Sequence, residues 1–337
     1  MLLFQFEKRF PTEDSCAEYF KEVRQANGVQ CPNCQDITDK WMDGKRMFQC
    51  RKCGCHIPLT KGTVMEHSKL PLKTWFYTMH LMTSIKQVLS AKEVQHQLSL
   101  KDYSSVWLMM MKLRDIMGKR EAIYKLSGEV ELDEAYFPIR LPEEARGVPL
   151  KRGAGSQQKA KVLVIVESKP VEDDLKKYLV EKKQKKYSVK KYVNYIKMFV
   201  LDNLSAPSID KIVQLYVDKG TKVHTDGSSS HVNLKDYFQE HKSHPEYDVE
   251  AVVTTDLPWV HIVIGRCRDG IVAIHNEVEK QFLQLYLNEF CWKFNRRFFR
   301  DSNDPKYDLF DRLVKIAAIY TSNIRWRKDI QTDDFEI

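Results

Sequence analysis

Four cysteines in two closely spaced pairs are the clearest chemical signal in this 337-residue chain. Cys31 and Cys34 form one C-x2-C pair, and Cys50 and Cys53 form a second pair fifteen residues later. Each pair can aim two thiolates at one point, and a hairpin can bring both pairs around a tetrahedral Zn²⁺. Four protein ligands leave no open coordination position, so the spacing predicts a structural zinc site. The alternatives are four buried structural thiols without metal, or a redox pair.

The segment between the two cysteine pairs favours the hairpin. Residues 40–49 read as two short strands around Asp43 and Gly44, a dipeptide typical of tight hairpin turns. Cys55 and His56 are further candidate ligands, and we interpret Cys55 as a spare thiol on the following strand.

A second chemical signal is an acidic strand at residues 128–137. Apolar and acidic residues alternate there, so Val130 and Leu132 share one face of the strand. Glu131 and Asp133 share the other face, and a carboxylate at a strand end is well placed to hold a divalent cation.

Asp226 is a second strand-end carboxylate, and the elements between it and Asp133 follow a known order. The predicted elements are strands 162–166, 195–201 and 222–225 and a helix 208–217. This order is expected of a ribonuclease-H-like core, whose mixed sheet brings two strand-end aspartates side by side. Carboxylate oxygens suit hard cations, and two Mg²⁺ ions held in this way support phosphoryl transfer.

Residues 68–120 have a helical pattern with three inward-facing stripes. The first helix is predicted at about 72–87, the second begins at the N-cap Ser90, and the third carries Val106 and Leu113 inward. Two short helices joined by a tight turn suggest a helix-turn-helix arrangement. The residues then expected to face DNA are Ser104, Ser105, Lys112 and Arg114. The alternative is an ordinary three-helix bundle.

The charge of the chain is compatible with a polyanionic partner. The net charge is +8 and the sequence pI is about 8.9, and Lys151 and Arg152 begin a basic, glycine-containing loop that is a candidate for DNA contact. A lysine-rich insertion at 168–192 is either a DNA clamp or a solvated loop. No apolar run approaches the ~18 residues of a membrane span, and the start is too charged for a secretory signal. We therefore expect a cytoplasmic protein, associated with the nucleoid when bound to DNA.

The chain resembles the zinc-ribbon insertion-sequence transposases of bacteria, the ISXO-like group related to eukaryotic Merlin elements. The matching motifs are the two cysteine pairs, the strand 130–137, Thr225-Asp226-Gly227, and the segments 257–262 and 286–297. The resemblance implies a DDE-type catalytic domain in which Asp133 and Asp226 bind Mg²⁺ or Mn²⁺. It also implies double-stranded DNA, both element ends and target, as the partner, and a homodimer or larger homo-oligomer as the working form.

One position departs from the family pattern. The third metal ligand in such enzymes is a Glu or Asn five residues after His261, and here that residue is Arg266. A guanidinium is a fixed cation with no acceptor and cannot ligate Mg²⁺. Arg268 stands where one branch of the family has a catalytic Lys. Either Asp269 substitutes as ligand, or the two aspartates, with or without Glu131, hold enough metal, or the site is inactive.

Arg296 and Arg297 end the last motif, on a predicted helix. They either contact DNA phosphate or take part in packing of the helix.

We expect a multidomain α/β protein with an N-terminal helical lead-in, a zinc ribbon, a helical DNA-binding segment, a ribonuclease-H-like mixed-sheet domain, and a C-terminal helix and tail. Their predicted bounds are 1–27, 28–60, 68–120, 126–300 and 301–337. The function implied is metal-dependent DNA cleavage and strand transfer; the alternative is a catalytically impaired, sequence-specific DNA-binding relative.

Overall fold

A computed structural model describes residues 1–141, 143, 147–170, 191–244, 257–298 and 308–326. The chain divides into two compact units: Met1–Arg120 together with Arg296–Ile337, and Glu121–Asn295. Within the described residues, no helix is long and apolar enough to cross a membrane.

The first unit is built from helices around an aromatic core. Its helices are α1 (Leu3–Arg9), α2 (Glu13–Asn27), α3 (Leu72–Ser84), α4 (Ala91–Gln97), α5 (Tyr103–Glu121) and α9 (Leu309–Ile319). Phe6, Phe10, Phe76 and Phe310 are almost completely buried and contact one another with ring centroids 5.1–5.5 Å apart. Tilted and edge-on ring packing of this kind stabilises a core beyond the area it buries.

Five short strands form the ribbon in the same unit. They are β1 (Val29–Gln30), β2 (Ile37–Thr38), β3 (Trp41–Met42), β4 (Met47–Gln49) and β5 (His56–Pro58), and β3, β4 and β5 pair antiparallel. The turn between β3 and β4 occupies Asp43–Lys45, where the hairpin turn is predicted, and closes with Arg46 in the left-handed region.

The ends of the middle helices follow from local capping. The Ser90 hydroxyl accepts the Glu93 N–H, which confirms the predicted start of α4. The Asp102 carboxylate accepts the backbone N–H groups of Ser104 and Ser105 and so begins α5. α3 ends at Ser84, three residues earlier than predicted, because Ile85 adopts an extended conformation.

A five-stranded mixed sheet organises the second unit. Its elements are β6 (Glu129–Pro138), β7 (Lys159–Pro170), β8 (Lys191–Leu201), α6 (Ala206–Tyr216), β9 (Lys222–Asp226), β10 (Glu240–His244), α7 (Pro258–His275) and α8 (Lys280–Asn295). The strand order is β10-β9-β6-β7-β8, with β6, β7 and β8 antiparallel and β9 and β10 parallel to β6. This is the ribonuclease-H-like arrangement expected from the sequence.

Alternation in the sheet divides the core from the site. Val130 and Leu132 are completely buried in an apolar cluster with Ile209 and Val213 of α6. The strands β7 and β8 extend into both ends of the predicted lysine-rich insertion, whose residues 171–190 lie outside the described part of the chain.

Candidate functional site

The two predicted aspartates lie on neighbouring parallel strands. Asp226 ends β9, but Asp133 lies within β6, which continues to Pro138 by pairing with β7, so the predicted strand end at Asp133 is wrong. Leu132 of β6 is the register partner of Thr225 of β9, and Asp133 and Asp226 follow directly after this pair. Burial and then the negative charge of Asp226 raise the pKa of Asp133 to about 7. The sheet therefore brings these two carboxylates into electrostatic contact.

Asp226 is held by the loop that follows its strand. Its Oδ1 lies 2.9 Å from Nδ1 of His231 and accepts the backbone N–H of Ser228 at 3.1 Å. Burial on its own would raise the pKa of Asp226, but His231 and the Ser228 N–H lower it below its usual range. Asp226 is thus kept as a carboxylate.

His231 joins Asp226 to a third carboxylate, Glu134. The other ring nitrogen of His231, Nε2, is 3.1 Å from Oε1 of Glu134, which also accepts the Ser230 hydroxyl at 2.7 Å. The His231 side chain is 1% exposed, and burial alone would lower its pKa, but the two carboxylates raise the pKa to about 9. Each ring nitrogen of His231 thus makes a short ion-pair contact with one carboxylate.

Glu134, Asp226 and His231 therefore form a compact donor cluster. One ligand atom from each lies within 4.8 Å of the other two. Neither Glu134 nor His231 is among the site residues predicted from the sequence. The available signals were the position of Glu134 directly after Asp133 and that of His231 five residues after Asp226.

α7 brings His261 to the same region. Its Nδ1 lies 3.5 Å from Oδ2 of Asp133, and its Nε2 is buried without a hydrogen-bond partner. Glu131 is 6% exposed and accepts the backbone N–H groups of Trp259 and Val260 at 2.9 and 2.8 Å. Its carboxylate is committed to the first turn of α7, which is why we do not retain Glu131 as a metal ligand.

The residues that depart from the family pattern, Arg266 and Arg268, and the possible substitute ligand Asp269 also lie on α7. Arg266 and Asp269 are both exposed, and in the described part of the chain Arg266 forms no ion pair with Asp133 or Asp226. The guanidinium carbon of Arg268 lies 5.9 Å from the ring centroid of Phe137 on β6. Arg266 therefore does not neutralise the aspartates.

The four predicted zinc ligands come together in the ribbon. The Sγ atoms of Cys31 and Cys53 are 3.6 Å apart, and those of Cys34 and Cys50 are 3.5 Å apart. A tetrahedral site with Zn–S bonds of about 2.3 Å needs sulfur atoms separated by about 3.8 Å. All four thiols are free of disulfides, so this donor set fits Zn²⁺.

Two family models of known proteins match separate parts of the chain. The family model of the ISXO2-like transposase domain matches residues 125–295, which is 171 of the 337 residues, and that of the transposase zinc-ribbon domain matches residues 11–56. The chain belongs to the ISXO2-like transposase family. The family match confirms the resemblance seen in the sequence motifs, including the zinc ribbon.

Two individual proteins are similar to this transposase-family chain. A Halobacterium salinarum protein described as an uncharacterized protein in transposable element ISH50 is 30% identical over 176 residues, which cover 48% of this chain and 56% of the relative. The chain thus spans about half the length of this relative. A pre-cleavage Mos1 transpososome is 12% identical, with 76% of this chain and 82% of that chain covered. Its TM-score of 0.22 is too low to support an argument.

The predicted DNA-facing residues of the helical segment divide into two groups. Ser104 and Ser105 are half-buried, and their hydroxyls donate to the Asp102 carboxylate; Lys112 is also half-buried. Arg114 is 1% exposed and donates to the Leu89 carbonyl at 3.0 Å. The prediction that Arg114 faces DNA is therefore wrong, because its guanidinium is engaged inside the helical unit.

The predicted basic residues outside this segment also differ in exposure. Lys151 and Arg152 are exposed, as a phosphate contact requires. Arg297 is half-buried, and its guanidinium carbon lies 4.1 Å from the Phe298 ring centroid. Arg296 is only 7% exposed, so its burial does not fit the predicted phosphate contact.

Proposed function

We propose that this ISXO2-like family member is a DNA transposase that binds the ends of its element and catalyses metal-dependent strand cleavage and strand transfer. The observation that carries the proposal is the position of Asp133 and Asp226, directly after the last paired residues of two adjacent parallel strands in a ribonuclease-H-like sheet. The partner is double-stranded DNA, and the working form is a homodimer or larger homo-oligomer acting on paired ends in the cytoplasm.

The carboxylates fit a hard divalent cation. Mg²⁺ and Mn²⁺ prefer oxygen donors, and the site offers the half-buried carboxylates of Asp133 and Asp226. When bound there, divalent cations activate the attacking oxygen and stabilise the leaving oxygen of an in-line displacement. The exposed position of Arg266 supports retained activity, since its charge is not paired with the ligands.

The neighbouring side chains have positioning roles in this proposal. His261 contacts the Asp133 carboxylate through Nδ1, and burial lowers its pKa, which favours the neutral ring. A neutral imidazole orients the carboxylate without competing with a cation for it. Arg268, whose guanidinium carbon lies 5.9 Å from the Phe137 ring centroid, supplies a positive charge on the same helix. Lys151 and Arg152 attract the DNA backbone.

Strand transfer by the purified, zinc-loaded protein tests the proposal. The substrate is DNA carrying the terminal repeats of the element that encodes the chain, with Mg²⁺ or Mn²⁺ present. We expect metal-dependent joined products that Asp226→Ala abolishes. Asp218→Ala is the matched control, because Asp218 is an exposed aspartate outside the site, and this variant should retain joining.

The alternative function makes the opposite prediction. Specific binding of the element ends by the wild-type protein, without cleavage in either metal, would contradict the proposal. It would indicate a DNA-binding relative that has lost catalysis.

A further inference from the structure

The family's third ligand position is unusable in this chain. Arg266 occupies it, and an arginine has no acceptor atom to offer a cation. Asp269, one helical turn further along α7, is exposed, and no described contact joins it to Asp133 or Asp226. A second cation in this site therefore needs ligands from another element.

The loop after β9 supplies a donor set next to Asp226. His231 is 1% exposed, and the side chains of Glu134 and Asp226 are 9% and 15% exposed. Each nitrogen of this buried imidazole lies against one carboxylate oxygen, and a metal ion can take the place of the proton between them. The buried imidazole and the two half-buried carboxylates therefore offer the donor types of a metal site.

The separations of the donor atoms fit a shared cation. Adjacent ligands at right angles around an ion with bonds of about 2.1 Å lie about 3.0 Å apart. Nδ1 of His231 is 2.9 Å from Asp226 Oδ1, which fits this separation, whereas Glu134 Oε1 lies 3.1 Å from the opposite ring nitrogen, Nε2. One donor atom from each of the three residues lies within 4.8 Å of the others, so an ion bound through one nitrogen of His231 can reach both carboxylates once the carboxylate beside the opposite nitrogen turns toward it.

The carboxylates are also held in place by outer contacts. The Ser230 hydroxyl donates to Glu134 at 2.7 Å, and the Ser228 N–H donates to Asp226 at 3.1 Å. Hydrogen bonds of this kind orient the ligands of metal sites. The short segment from Ser228 to His231 thus carries one ligand and fixes two others.

We propose that Glu134, Asp226 and His231 bind a divalent transition-metal ion, with Mn²⁺ favoured over Mg²⁺, and that this set replaces the ligand lost at Arg266. An imidazole nitrogen suits Mn²⁺, Fe²⁺, Co²⁺ or Zn²⁺, whereas Mg²⁺ prefers oxygen donors alone. Asp226 is then shared between this ion and the one that it holds with Asp133. Binding of this ion does not depend on the proposed transposase function. Only a role of the second ion in catalysis rests on that function.

Pulsed electron paramagnetic resonance of Mn²⁺ bound to the zinc-loaded protein tests this ligand set directly. We expect a histidine nitrogen coupling on the bound Mn²⁺ in the wild-type protein. His231→Asn should remove that coupling, and His261→Asn should keep it, because His261 contacts Asp133 and lies outside the cluster. Absence of the coupling from the wild-type protein would overturn the inference without need of any variant.

The change in Mn²⁺ affinity caused by His231→Asn shows whether His231 is a metal ligand or only a positive charge beside the two carboxylates. If His231 is a ligand, His231→Asn weakens Mn²⁺ binding at least about ten-fold. If His231 acts only as a cation that neutralises Asp226 and Glu134, its removal leaves the pocket more negative and strengthens Mn²⁺ binding. The second result would overturn the inference. His96→Asn, an exposed histidine on α4, controls for loss of an imidazole as such.

The two proposals fail in different ways. Nitrogen-coupled Mn²⁺ binding by a protein that joins no DNA supports the metal set and contradicts the proposed transposition. Joining of DNA with Mn²⁺ bound but without nitrogen coupling supports transposition and contradicts the metal set.

Discussion

At the scale of single residues, Glu131 and Asp133 show how one strand face serves two purposes. Both carboxylates are on the same side of β6, but Glu131 accepts the first N–H groups of α7 while Asp133 lies beside Asp226 and His261. The first residue therefore fixes the helix that carries His261, and the second residue belongs to the site.

Replacing Glu131 by Ala should destabilise the second unit. The change leaves two buried backbone N–H groups at the start of α7 without an acceptor, which costs about 1–3 kcal/mol. Urea unfolding followed by circular dichroism measures this free energy. Glu129→Ala is the matched control: Glu129 is a half-buried glutamate on the same strand, and losing its ion pair with Lys191 should cost less than about 1 kcal/mol. Equal losses in the two variants would refute the capping role.

Lys197 gives the second unit a stability that depends on pH. The residue is 3% exposed, with Nζ 4.3 Å from the Tyr124 ring centroid and 4.7 Å from that of Tyr216. Burial lowers its pKa from 10.5 to about 8, so between these values the unfolded chain binds more protons than the folded protein. The free energy of unfolding should then rise with pH, by roughly 1–2 kcal/mol from pH 8 to 9.5.

Urea unfolding at several pH values measures this dependence. Lys197→Met should flatten the rise, because the variant has no group that changes protonation at that position. Lys211→Met, at an exposed lysine of α6, should keep it. If Lys197→Met unfolds with the same pH dependence as the wild-type protein, then Lys197 is not its source.

At the scale of elements, the ribbon depends on its metal more than on its core. Its strands are two or three residues long, and its apolar cluster consists of Val29, Phe48 and Ile57 with the cysteines Cys31 and Cys50. A core of this size cannot stabilise a fold alone, so most of the folding free energy must come from metal binding.

Removal of zinc should unfold the ribbon and leave the mixed sheet intact. We expect a chelator to abolish hydrogen-exchange protection over residues 28–58, while β6 and β7 stay protected. Cys50→Ser should likewise lower the zinc content from about one ion per chain to almost none. Cys55→Ser should retain the ion, because Cys55 lies outside the four-thiol cluster. Zinc loss in Cys55→Ser would show that the ligand set is misassigned.

In α5, the third helix of the middle segment, the periodicity of apolar residues is insufficient to predict which side chains are buried. The stripe of Val106, Leu113 and Met117 is buried as predicted, but Arg114 and Asp115 are buried as well. The C-terminal half of α5 is therefore enclosed on more than one side.

At the scale of the whole molecule, the charge of +8 is distributed over many exposed basic residues. Binding to DNA releases counterions in proportion to the phosphates that are neutralised. Lys151 and Arg152 are exposed next to each other on a loop of the second unit, and we propose that they contact the DNA backbone.

The double variant Lys151→Ala/Arg152→Ala should reduce the salt dependence of DNA binding. Each lost phosphate contact lowers the magnitude of the slope of log K against log salt by about 0.9, so the double variant should lose roughly two. Fluorescence anisotropy with element-end DNA at a series of salt concentrations measures the slope. Lys211→Ala/Lys219→Ala removes the same charge from exposed positions. An equal loss in both variants would mean that net charge, rather than this loop, sets the slope.

The sequence by itself determined the features that depend on local spacing. C-x2-C pairs bring thiols together through the geometry of one turn, and strict alternation assigns Val130 and Leu132 to the core and Asp133 to the other face. The order of strands and helices was sufficient to predict a ribonuclease-H-like sheet with Asp133 and Asp226 side by side. The edge strand β10 was missed because its residues, Glu240 to His244, are mostly polar and show no apolar alternation.

Only the tertiary structure decided which side chains join those aspartates. His231 reaches Asp226 and Glu134 because of the path of the loop after β9, and no periodicity encodes the path of a loop. Arg266 is exposed and Arg114 is buried in the helical unit, because the exposure of a side chain on a helix depends on what packs against each face. Local patterns thus specify elements and their order, whereas the cluster of Glu134, Asp226 and His231 exists only where separate elements meet.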